Sequence, residues 1–399
     1  MPLDTPLNIA ALRADTPGCR ERAHLNNAGA GLMPTPVLAA IQDHLALESR
    51  IGGYEAADAC AAEIADAYDA VGALLNAPPA NVALVEHATA AFAQALSAIP
   101  FRRGDAIVTT RNDYVSNQIQ YLALEARIGI EVVRVPDAPE GGVNLFELEE
   151  AVHRRRPRLV AVTHVPTNSG LVQDVASIGA ICRKEGVLYL VDACQSVGQM
   201  PIDVQAIGCD FLSATSRKYL RGPRGAGFLY VSDRALELGL EPLFPDMRGA
   251  DWIEEGIYQP APDARRFERW EFAYALVLGT GAAARYALDV GVEPARDRIR
   301  ALAERARSGL ARLPGARVLD RGAELCGIAT VAVAGRDPEA LMLALRERGY
   351  NTTAQGRSSA VLDLDEKGVD GILRVSPHYY NTEDEVDGLV RALETILAR

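Results

Sequence analysis

The sequence is poor in lysine and contains no long hydrophobic run. Only three of its 41 basic residues are lysines, namely Lys184, Lys218 and Lys367. No apolar stretch approaches the roughly 18 residues of a membrane-spanning helix, and the N-terminus lacks the basic and apolar regions of a signal peptide. We therefore expect a cytoplasmic protein with no membrane partner.

Paired cysteines and an excess of positive charge are also missing. The six cysteines are scattered without CxxC spacing, which predicts neither a metal site nor a disulfide framework, so we expect small buried side chains. The net charge of -12 argues against a nucleic-acid partner. A hydrophobic content of 49% in 399 residues is typical of a globular protein with one large and one smaller domain.

The order of apolar runs predicts an α/β fold. Helical patterns lie between several of the runs, as in NLFELEEAVHRRR and in DVASIGAICRKEG, which starts at an Asp cap and ends at Gly. Strands that alternate with helices imply a mostly parallel sheet covered on both faces. Six short runs are predicted as buried strands: DAIVTT, IEVVRV, RLVAVTHV, VLYLVDAC, CDFLSATS and GAGFLYVS.

The pattern changes after about residue 295, where amphipathic helices alternate with the strands CGIATVAVAG and GILRVS. We predict an N-terminal segment that joins the small domain (1–25), a large ligand-binding domain (26–290) and a small C-terminal α+β domain (291–399). Ligands of open α/β sheets bind outside the carboxyl ends of the strands. Polar residues follow those ends in THVPTNSG, VDACQS and SATSRK, so we expect the site there.

Lys218 lies in one of these polar stretches, just past a predicted strand. A lysine amine can form a Schiff base with an aldehyde, whereas a guanidinium never deprotonates in a protein. We therefore interpret Lys218 as present for its amine, with a surface cation in a turn as the alternative. Lys184 and Lys367 are interpreted as surface cations, the second in the loop DEKG.

Asp192 indicates which aldehyde is involved. It ends VLYLVD, where a buried carboxylate is costly unless a cation meets it. The ring nitrogen of pyridoxal phosphate (PLP) supplies such a cation, and a lysine Schiff base with an Asp partner is the usual setting of this cofactor. In isolation, Asp192 is equally well interpreted as a helix cap.

The phosphate of PLP requires hydrogen-bond donors. HATAAFAQAL puts Thr89 and Ala90 at a predicted helix N-terminus, where free amides and the helix dipole hold an anion. Thr215 and Arg217 flank the lysine and add a hydroxyl and a guanidinium. A plain N-cap is the alternative for Thr89. A dinucleotide site is disfavoured because GPRGAG leads into a strand and not into a helix.

With VDACQS followed by SATSRKYLRGPRG, the chain resembles the class V aminotransferase family of fold type I PLP enzymes. This family includes cysteine desulfurases, selenocysteine lyases, isopenicillin N epimerase and hercynylcysteine sulfoxide lyases. The resemblance runs from HLNNAGAGLMP to RVSPHYYNTEDEVD. It implies a large PLP-binding domain with a mostly parallel seven-stranded sheet, and a homodimer whose neighbouring subunit completes the phosphate site through the region Arg265 to Phe272.

The resemblance also implies roles for cofactor-binding residues. Lys218 would hold PLP covalently and move protons at the substrate carbon. Asp192 would pair with the ring nitrogen, and Gln195 would hydrogen-bond the ring oxygen. Tyr114 would stack on the ring, with a tyrosine on a helix face as the structural alternative.

Two further residues are assigned to the substrate by the same resemblance. Asn168 would lie near both the ring oxygen and the substrate. Arg374 would bind the substrate carboxylate with both arms of its guanidinium, with a plain edge-strand arginine as the alternative.

One segment departs from the family pattern. Cysteine desulfurases of this family carry a cysteine on a mobile loop before the final strand, and its thiolate attacks the sulfur of the substrate. The corresponding residues here, YNTTAQGRSSAVLDLDEKG, contain no cysteine. Cys326, in an apparent strand, and Cys194, beside Asp192, do not suit a loop nucleophile, so a persulfide-forming desulfurase is disfavoured. We interpret Arg357, Ser358 and Ser359 as a solvated loop, with contact to the substrate as the alternative.

These features favour β-elimination from a cysteine-derived amino acid, a carbon–sulfur lyase reaction that needs no sulfur nucleophile on the enzyme. Amino transfer to a keto acid, or epimerisation, is the alternative outcome at the same carbon. A non-catalytic ligand-binding protein is a remote alternative, which the presence of Lys218 disfavours.

Overall fold

Helices and strands alternate along residues 7–398, which are the residues described by a computed structural model of the chain. The first elements are α1 (Ile9–Ala14), β1 (Ala23–His24), α2 (Thr35–Ile51), α3 (Gly53–Ala59), α4 (Ala61–Leu75), β2 (Val82–Val85) and α5 (Ala88–Ser97). The next are β3 (Ala106–Thr110), α6 (Val115–Ile128), β4 (Glu131–Val135), α7 (Leu145–Arg155), β5 (Leu159–Thr163), α8 (Val175–Glu185) and β6 (Leu188–Asp192).

The second half of the chain continues this alternation and then adds a hairpin and a second sheet. It begins with α9 (Val204–Ile207), β7 (Phe211–Thr215), β8 (Gly227–Val231), α10 (Asp233–Glu237), β9 (Ala250–Glu254), β10 (Ile257–Pro260), α11 (Tyr274–Val290) and α12 (Val292–Leu310). It ends with β11 (Ala316–Val318), β12 (Ala329–Val333), α13 (Pro338–Glu347), β13 (Tyr350–Asn351), β14 (Thr353–Gly356), α14 (Val361–Lys367), β15 (Gly371–Val375) and α15 (Glu383–Leu397).

Seven strands form one sheet in the order β2-β8-β7-β6-β5-β3-β4. Neighbours from β7 to β4 are parallel, whereas β8 runs antiparallel to both β7 and β2. Strands β3, β5, β7 and β8 are buried along their whole length, which explains their nearly continuous apolar sequences. The predicted α/β fold with a mostly parallel seven-stranded sheet is confirmed, and β2 is the strand that the six predicted runs did not include.

Helix α8 shows how local sequence sets the element boundaries. The Asp174 side chain accepts a hydrogen bond from the Ser177 amide at 3.0 Å, which caps the start of the helix. Gly186 ends the helix with φ at +70°, a conformation that glycine adopts without strain. Both ends agree with the sequence prediction.

A four-stranded antiparallel sheet in the order β11-β12-β15-β14 lies in the C-terminal part of the chain. Helices α12, α13 and α15 pack against it through a separate apolar core. Strand β1 pairs in parallel with β13, so the N-terminal segment contacts this part of the molecule. The three-unit division at residues 25 and 290 remains a prediction, and residues 1–6 of its first unit lie outside the described residues.

Strand register brings three predicted site segments to one edge of the large sheet. Thr163 at the end of β5 lies opposite Asp192 at the end of β6, and Asp192 lies opposite Ser213 of β7. Within residues 7–398, no single helix is long and apolar enough to cross a membrane, although α11 and α12, bent by 82°, meet the length and composition criteria as a pair.

Three sequence predictions about individual side chains are wrong. Lys367 is buried at the end of α14, where it pairs with Asp363. It is therefore not a surface cation in a solvated loop. Cys326 precedes β12 and is not part of a strand. The cysteines are not uniformly buried: Cys182, Cys209 and Cys326 are, whereas Cys19, Cys60 and Cys194 are partly exposed.

Candidate active site

Lys218 lies in the loop between β7 and β8, and its side chain is buried with 7% of the residue exposed. None of the hydrogen bonds and ion pairs among residues 7–398 involves its Nζ, whereas the Nζ of the buried Lys367 lies 2.7 Å from Asp363. Burial lowers the pKa of Lys218, an effect that Cys194 and Asp192 partly oppose. A lowered pKa favours the neutral amine, which is the nucleophilic form.

The ring of Tyr114 is the aromatic neighbour of this amine. The Nζ of Lys218 lies 5.9 Å from the centre of the Tyr114 ring. Tyr114 is the residue before α6, and its amide donates a hydrogen bond of 2.7 Å to Oδ1 of Asp113. It therefore does not lie on a helix face, which was the structural alternative for this residue.

Asp192 is buried and each of its oxygens accepts a hydrogen bond. Asn117 donates from Nδ2 to Oδ2 at 3.0 Å, and the amide of Cys194 donates to Oδ1 at 3.0 Å. These donors orient the carboxylate at the end of β6 and stabilise its negative charge. The alternative of a helix cap is wrong, because Asp192 ends a strand.

A second buried carboxylate, Asp113, supports this arrangement and was missed from the sequence. Its Oδ1 accepts from Thr163 Oγ1 at 2.5 Å and from Asn117 Nδ2 at 3.2 Å, so Asn117 bridges the two acids. Burial raises the pKa of Asp113, while its hydrogen bonds lower it. Asn117 lies in the first turn of α6, and its contact with Asp192 joins residues 75 positions apart, so no local pattern in the sequence indicates it.

Gln195 and Arg374 meet through Thr167, which the sequence analysis also missed. The Oγ1 of Thr167 accepts from Gln195 Nε2 at 3.0 Å and from Arg374 Nη1 at 2.6 Å. Among the described residues, Gln195 Oε1 and Arg374 Nε are buried without a hydrogen-bond partner. Burial lowers the pKa of Arg374 to about 10. An acceptor and a charged donor are thus left available for a ligand.

The start of α5 approaches the end of β7 and the start of β8. Thr89 and Ala90 occupy its first turn, and the His87 side chain caps it by accepting from the Ala90 amide at 3.0 Å. Thr215 pairs with Gly227, where a side-chain Cβ would lie 2.9 Å from the amide of Ala88. Only glycine permits this close approach, which brings the helix start beside Thr215.

Two of the remaining predicted residues contact other parts of the chain. Arg217 donates a hydrogen bond to the carbonyl of Gly29, and no hydrogen bond or ion pair joins it to Thr89 within residues 7–398. Asn168 is buried and donates from Nδ2 to Asp363 Oδ2 at 2.6 Å. Its own Oδ1 is buried with no partner in the described part of the chain.

The segment Arg357–Ser359 does not join this group of residues. It forms a short exposed turn in which Arg357 pairs with Asp365 at 2.6 Å. Helix α14, which follows, does reach the group through Asp363. The solvated turn was predicted, whereas the contact made by α14 was not.

The donor and acceptor set fits PLP. A lysine on a buried residue, without a partner among residues 7–398, suits an aldehyde, and a buried carboxylate held by two donors suits a protonated ring nitrogen. The unpaired Oε1 of Gln195 and the helix start beside Thr215 provide further polar contacts for such a ligand. These features define a PLP-dependent enzyme of fold type I.

Comparison with known proteins gives the family. The family described as aminotransferase class-V matches residues 23–389. A probable cysteine desulfurase from Methanothermobacter thermautotrophicus is 31% identical, over 96% of this chain and 97% of that protein. A probable hercynylcysteine sulfoxide lyase from Mycobacterium tuberculosis is 30% identical, over 93% of this chain and 89% of that protein. A solved structure of a lysine-to-alanine variant of C-DES, with glycine covalently linked to PLP, is also similar. Its TM-score is 0.86 and its identity 25%, over 96% of this chain and 98% of that chain.

The chain therefore belongs to the class V aminotransferase family. It is a PLP-dependent enzyme, similar to cysteine desulfurases and carbon–sulfur lyases. The family and cofactor predicted from the sequence are confirmed.

Proposed function

We propose that the protein is a carbon–sulfur β-lyase that acts on a cysteine-derived amino acid. The Cα–H and Cβ–S bonds break, the sulfur fragment leaves with the electron pair of the Cβ–S bond and takes up a proton, and water converts the remaining three-carbon unit to pyruvate and ammonia. PLP, when bound, supplies the electron withdrawal that makes the Cα proton acidic.

Four side chains would hold the ring end of the cofactor. Lys218 would bind the aldehyde carbon and move the proton at Cα, a role supported by its lowered pKa and by the absence of a partner within residues 7–398. Asp192 would keep the ring nitrogen protonated. Gln195 would donate to the ring oxygen from Nε2 once its carboxamide turns away from the Thr167 and Ala28 oxygens. Tyr114 would cover one face of the ring, consistent with its position 5.9 Å from the lysine amine.

The phosphate and the substrate would be held at opposite ends of the same crevice. Thr89 and Ala90 of the α5 start, together with Thr215 and Arg217, would hold the phosphate. At the other end, Arg374 would bind the substrate carboxylate, because among residues 7–398 its buried charge is met only by Thr167 and Asn26 oxygens. Asn168 would contact the substrate beside it.

The segment 350–368 carries the case for a lyase over a persulfide-forming desulfurase. It contains no cysteine, and α14 within it sets Asp363 against Asn168. Cys326 is fully buried, and burial raises its pKa to about 12. Burial also raises the pKa of Cys194, so neither thiol is readily ionised. The similarity to a probable hercynylcysteine sulfoxide lyase is in line with this reaction.

Product analysis tests this proposal. The PLP-loaded protein is incubated with L-cysteine, with an S-substituted cysteine sulfoxide and with L-alanine, and pyruvate, ammonia, alanine and protein-bound sulfur are measured. A lyase yields equal amounts of pyruvate and ammonia from the sulfur compounds alone. Alanine with protein-bound sulfur from L-cysteine would indicate a desulfurase, and turnover only with an added keto acid would indicate an aminotransferase.

A homodimer is part of the same proposal. The hairpin β9–β10 and the residues before it expose large apolar side chains, including Trp252 at 79% and Phe244 at 80%. Exposed apolar clusters of this kind are typical of protein interfaces. Light scattering on the purified protein should give a mass twice the 42.8 kDa of the chain. Trp252→Asp should shift the measured mass toward that of a single chain. A monomeric, fully active wild-type protein would contradict the shared site.

A further inference from the structure

The turn that carries Lys218 contains a buried backbone carbonyl. Residues 216–220 form turns between β7 and β8 and not a helix, and no backbone amide among residues 7–398 donates to the carbonyl of Tyr219. Tyr219 is buried, and a side-chain Cβ at Gly198 would lie 2.5 Å from its carbonyl oxygen, so the backbone of residue 198 packs directly against it. A buried carbonyl without a donor is unfavourable, so a side chain has to supply one.

His378 supplies that donor. Its Nε2 lies 2.9 Å from the Tyr219 carbonyl oxygen, and its Nδ1 accepts a hydrogen bond from the Tyr379 amide at 2.9 Å. Because Nδ1 can accept only when it carries no proton, the proton of the neutral ring is on Nε2, which faces the carbonyl. Burial and the nearby charge of Arg221 both lower the pKa of His378, which keeps the ring neutral.

The imidazole ring of His378 is held firmly in its own place. It is fully buried and stacks on the ring of Tyr380, with the ring centres 5.1 Å apart and the planes 10° from parallel. The His378 amide donates to Oδ1 of Asn381 at 2.8 Å. Asn381 in turn donates from Nδ2 to Glu385 of α15 at 2.8 Å. The ring is therefore a fixed point against which the turn can be aligned.

This histidine joins the segment assigned to the cofactor to the segment assigned to the substrate. Tyr219 directly follows Lys218 in the chain. His378 comes four residues after Arg374 of β15. A rigid ring with an acceptor on one side and a donor on the other sets the distance between the end of β15 and the turn. The position of the lysine relative to the arginine depends on that distance.

We propose that His378 is a positioning residue that holds Lys218 through the hydrogen bond from its Nε2 to the Tyr219 carbonyl. This inference rests on the proposed function, which assigns the aldehyde of PLP to Lys218. Without the donor, the carbonyl turns toward another partner, and the lysine moves with the peptide that follows it. A displacement of about 1 Å is enough to slow a reaction strongly.

Two substitutions separate the roles of the two ring nitrogens. His378→Gln places an NH₂ group near the position of Nε2, whereas the shorter His378→Asn can accept from the Tyr379 amide but does not reach the Tyr219 carbonyl. PLP is added to the cofactor-free protein, and the rate at which the visible absorption band of the lysine-bound cofactor appears is measured. We expect His378→Asn to attach PLP roughly 10-fold more slowly and His378→Gln to stay within about threefold of the wild type.

The matched control is His44→Asn, because His44 is another buried histidine, which lies in α2 beside Tyr274. This variant should attach PLP at the wild-type rate. If His378→Asn does not fold, an NMR spectrum of the isotope-labelled histidine ring nitrogens of the wild type takes its place. It should show the proton of His378 on Nε2, and a proton on Nδ1 would overturn the inference.

The outcomes also separate this inference from the proposed function. A wild-type attachment rate for His378→Asn, or an equal loss in His378→Gln, would overturn the role of His378 alone. Alanine released from L-cysteine, with the attachment rates as expected, would overturn the lyase reaction and leave the role of His378 standing. A wild-type protein that attaches PLP to no lysine would overturn both.

Discussion

Lys218 after β7 and Lys367 at the end of α14 are almost equally buried, yet their surroundings differ. Lys367 has a carboxylate partner at 2.7 Å. Lys218 has no hydrogen-bond partner within residues 7–398, and burial lowers its pKa. Burial alone therefore does not distinguish a reactive lysine from a structural one, whereas the presence or absence of a paired charge does.

The same comparison shows that the rarity of lysine does not by itself identify a reactive lysine. Rarity favours a functional interpretation of Lys218, but it applies equally to Lys367, which forms an ion pair. Lys184, the third lysine, is exposed and pairs with Glu149 at 2.7 Å. Only the polar strand ends around Lys218 separate it from the other two in the sequence.

The largest effect is expected for Lys218→Arg. A guanidinium keeps the charge but cannot attach the cofactor or take a proton, so turnover of the best sulfur substrate should fall by about 10³-fold or more. Steady-state kinetics and circular dichroism measure activity and fold together. The exposed Lys184→Arg should keep its activity. If the Lys218→Arg variant kept turnover within tenfold of the wild type, the distinction between a reactive Lys218 and a structural Lys367 would be wrong.

Lys367→Met should act on stability and not on the chemical step. It leaves Asp363 buried without its cation, which we expect to cost about 3 kcal/mol of unfolding free energy. Urea unfolding measures this cost. Adding Asp363→Asn should recover most of it, because both charges are then gone. No loss in the single variant would mean that the ion pair is not structural.

Arg374→Ala removes the other buried cation of the crevice. Its guanidinium is held by Thr167 and Asn26 and retains an unpaired Nε among the described residues. Loss of a charged hydrogen-bond donor should raise KM roughly 10- to 50-fold, with a smaller change in kcat. Arg305→Ala, which removes a surface ion pair, is the control. An unchanged KM would leave Arg374 with a structural role only.

The smallest effect concerns the stability of the protein without cofactor. Because burial lowers the pKa of Lys218, the folded protein holds this proton more weakly than the unfolded chain, whose value is near 10.5. The lysine therefore weakens folding at neutral pH, and this cost disappears above its unfolded pKa. Lys218→Met should stabilise the cofactor-free protein by about 1 kcal/mol at pH 7 and by less at pH 10. Equal unfolding free energies of the wild type and the Lys218→Met variant at pH 7 would contradict this prediction.

The large sheet could be predicted because its strands are buried on both faces. Their continuous apolar sequences and the capped helices between them leave a clear local signal, as in α8 between Asp174 and Gly186. Strand β2 was missed because it has only four residues. Strands β13 and β14 and helix α14 were missed because residues 350–368 are polar and lack a clear period.

The site was predictable where polar residues lie at or shortly after the end of a strand. Asp192 ends β6 and Lys218 comes three residues after β7, and the resemblance adds the expected roles. The contact between Asn168 and Asp363 could not be predicted, because it joins residues 195 positions apart. Thr167 is similarly hidden, since its link to Arg374 depends on how the two sheets meet.

Borohydride reduction of the PLP-loaded protein, followed by proteolysis and mass analysis, tests the central claim most directly. The reagent fixes the cofactor to the amine that carries it and abolishes the visible absorption band. We predict that the peptide containing Lys218 alone gains the mass of the reduced cofactor. Label on Lys184 or Lys367, or no label after saturation with PLP, would contradict the assignment of Lys218.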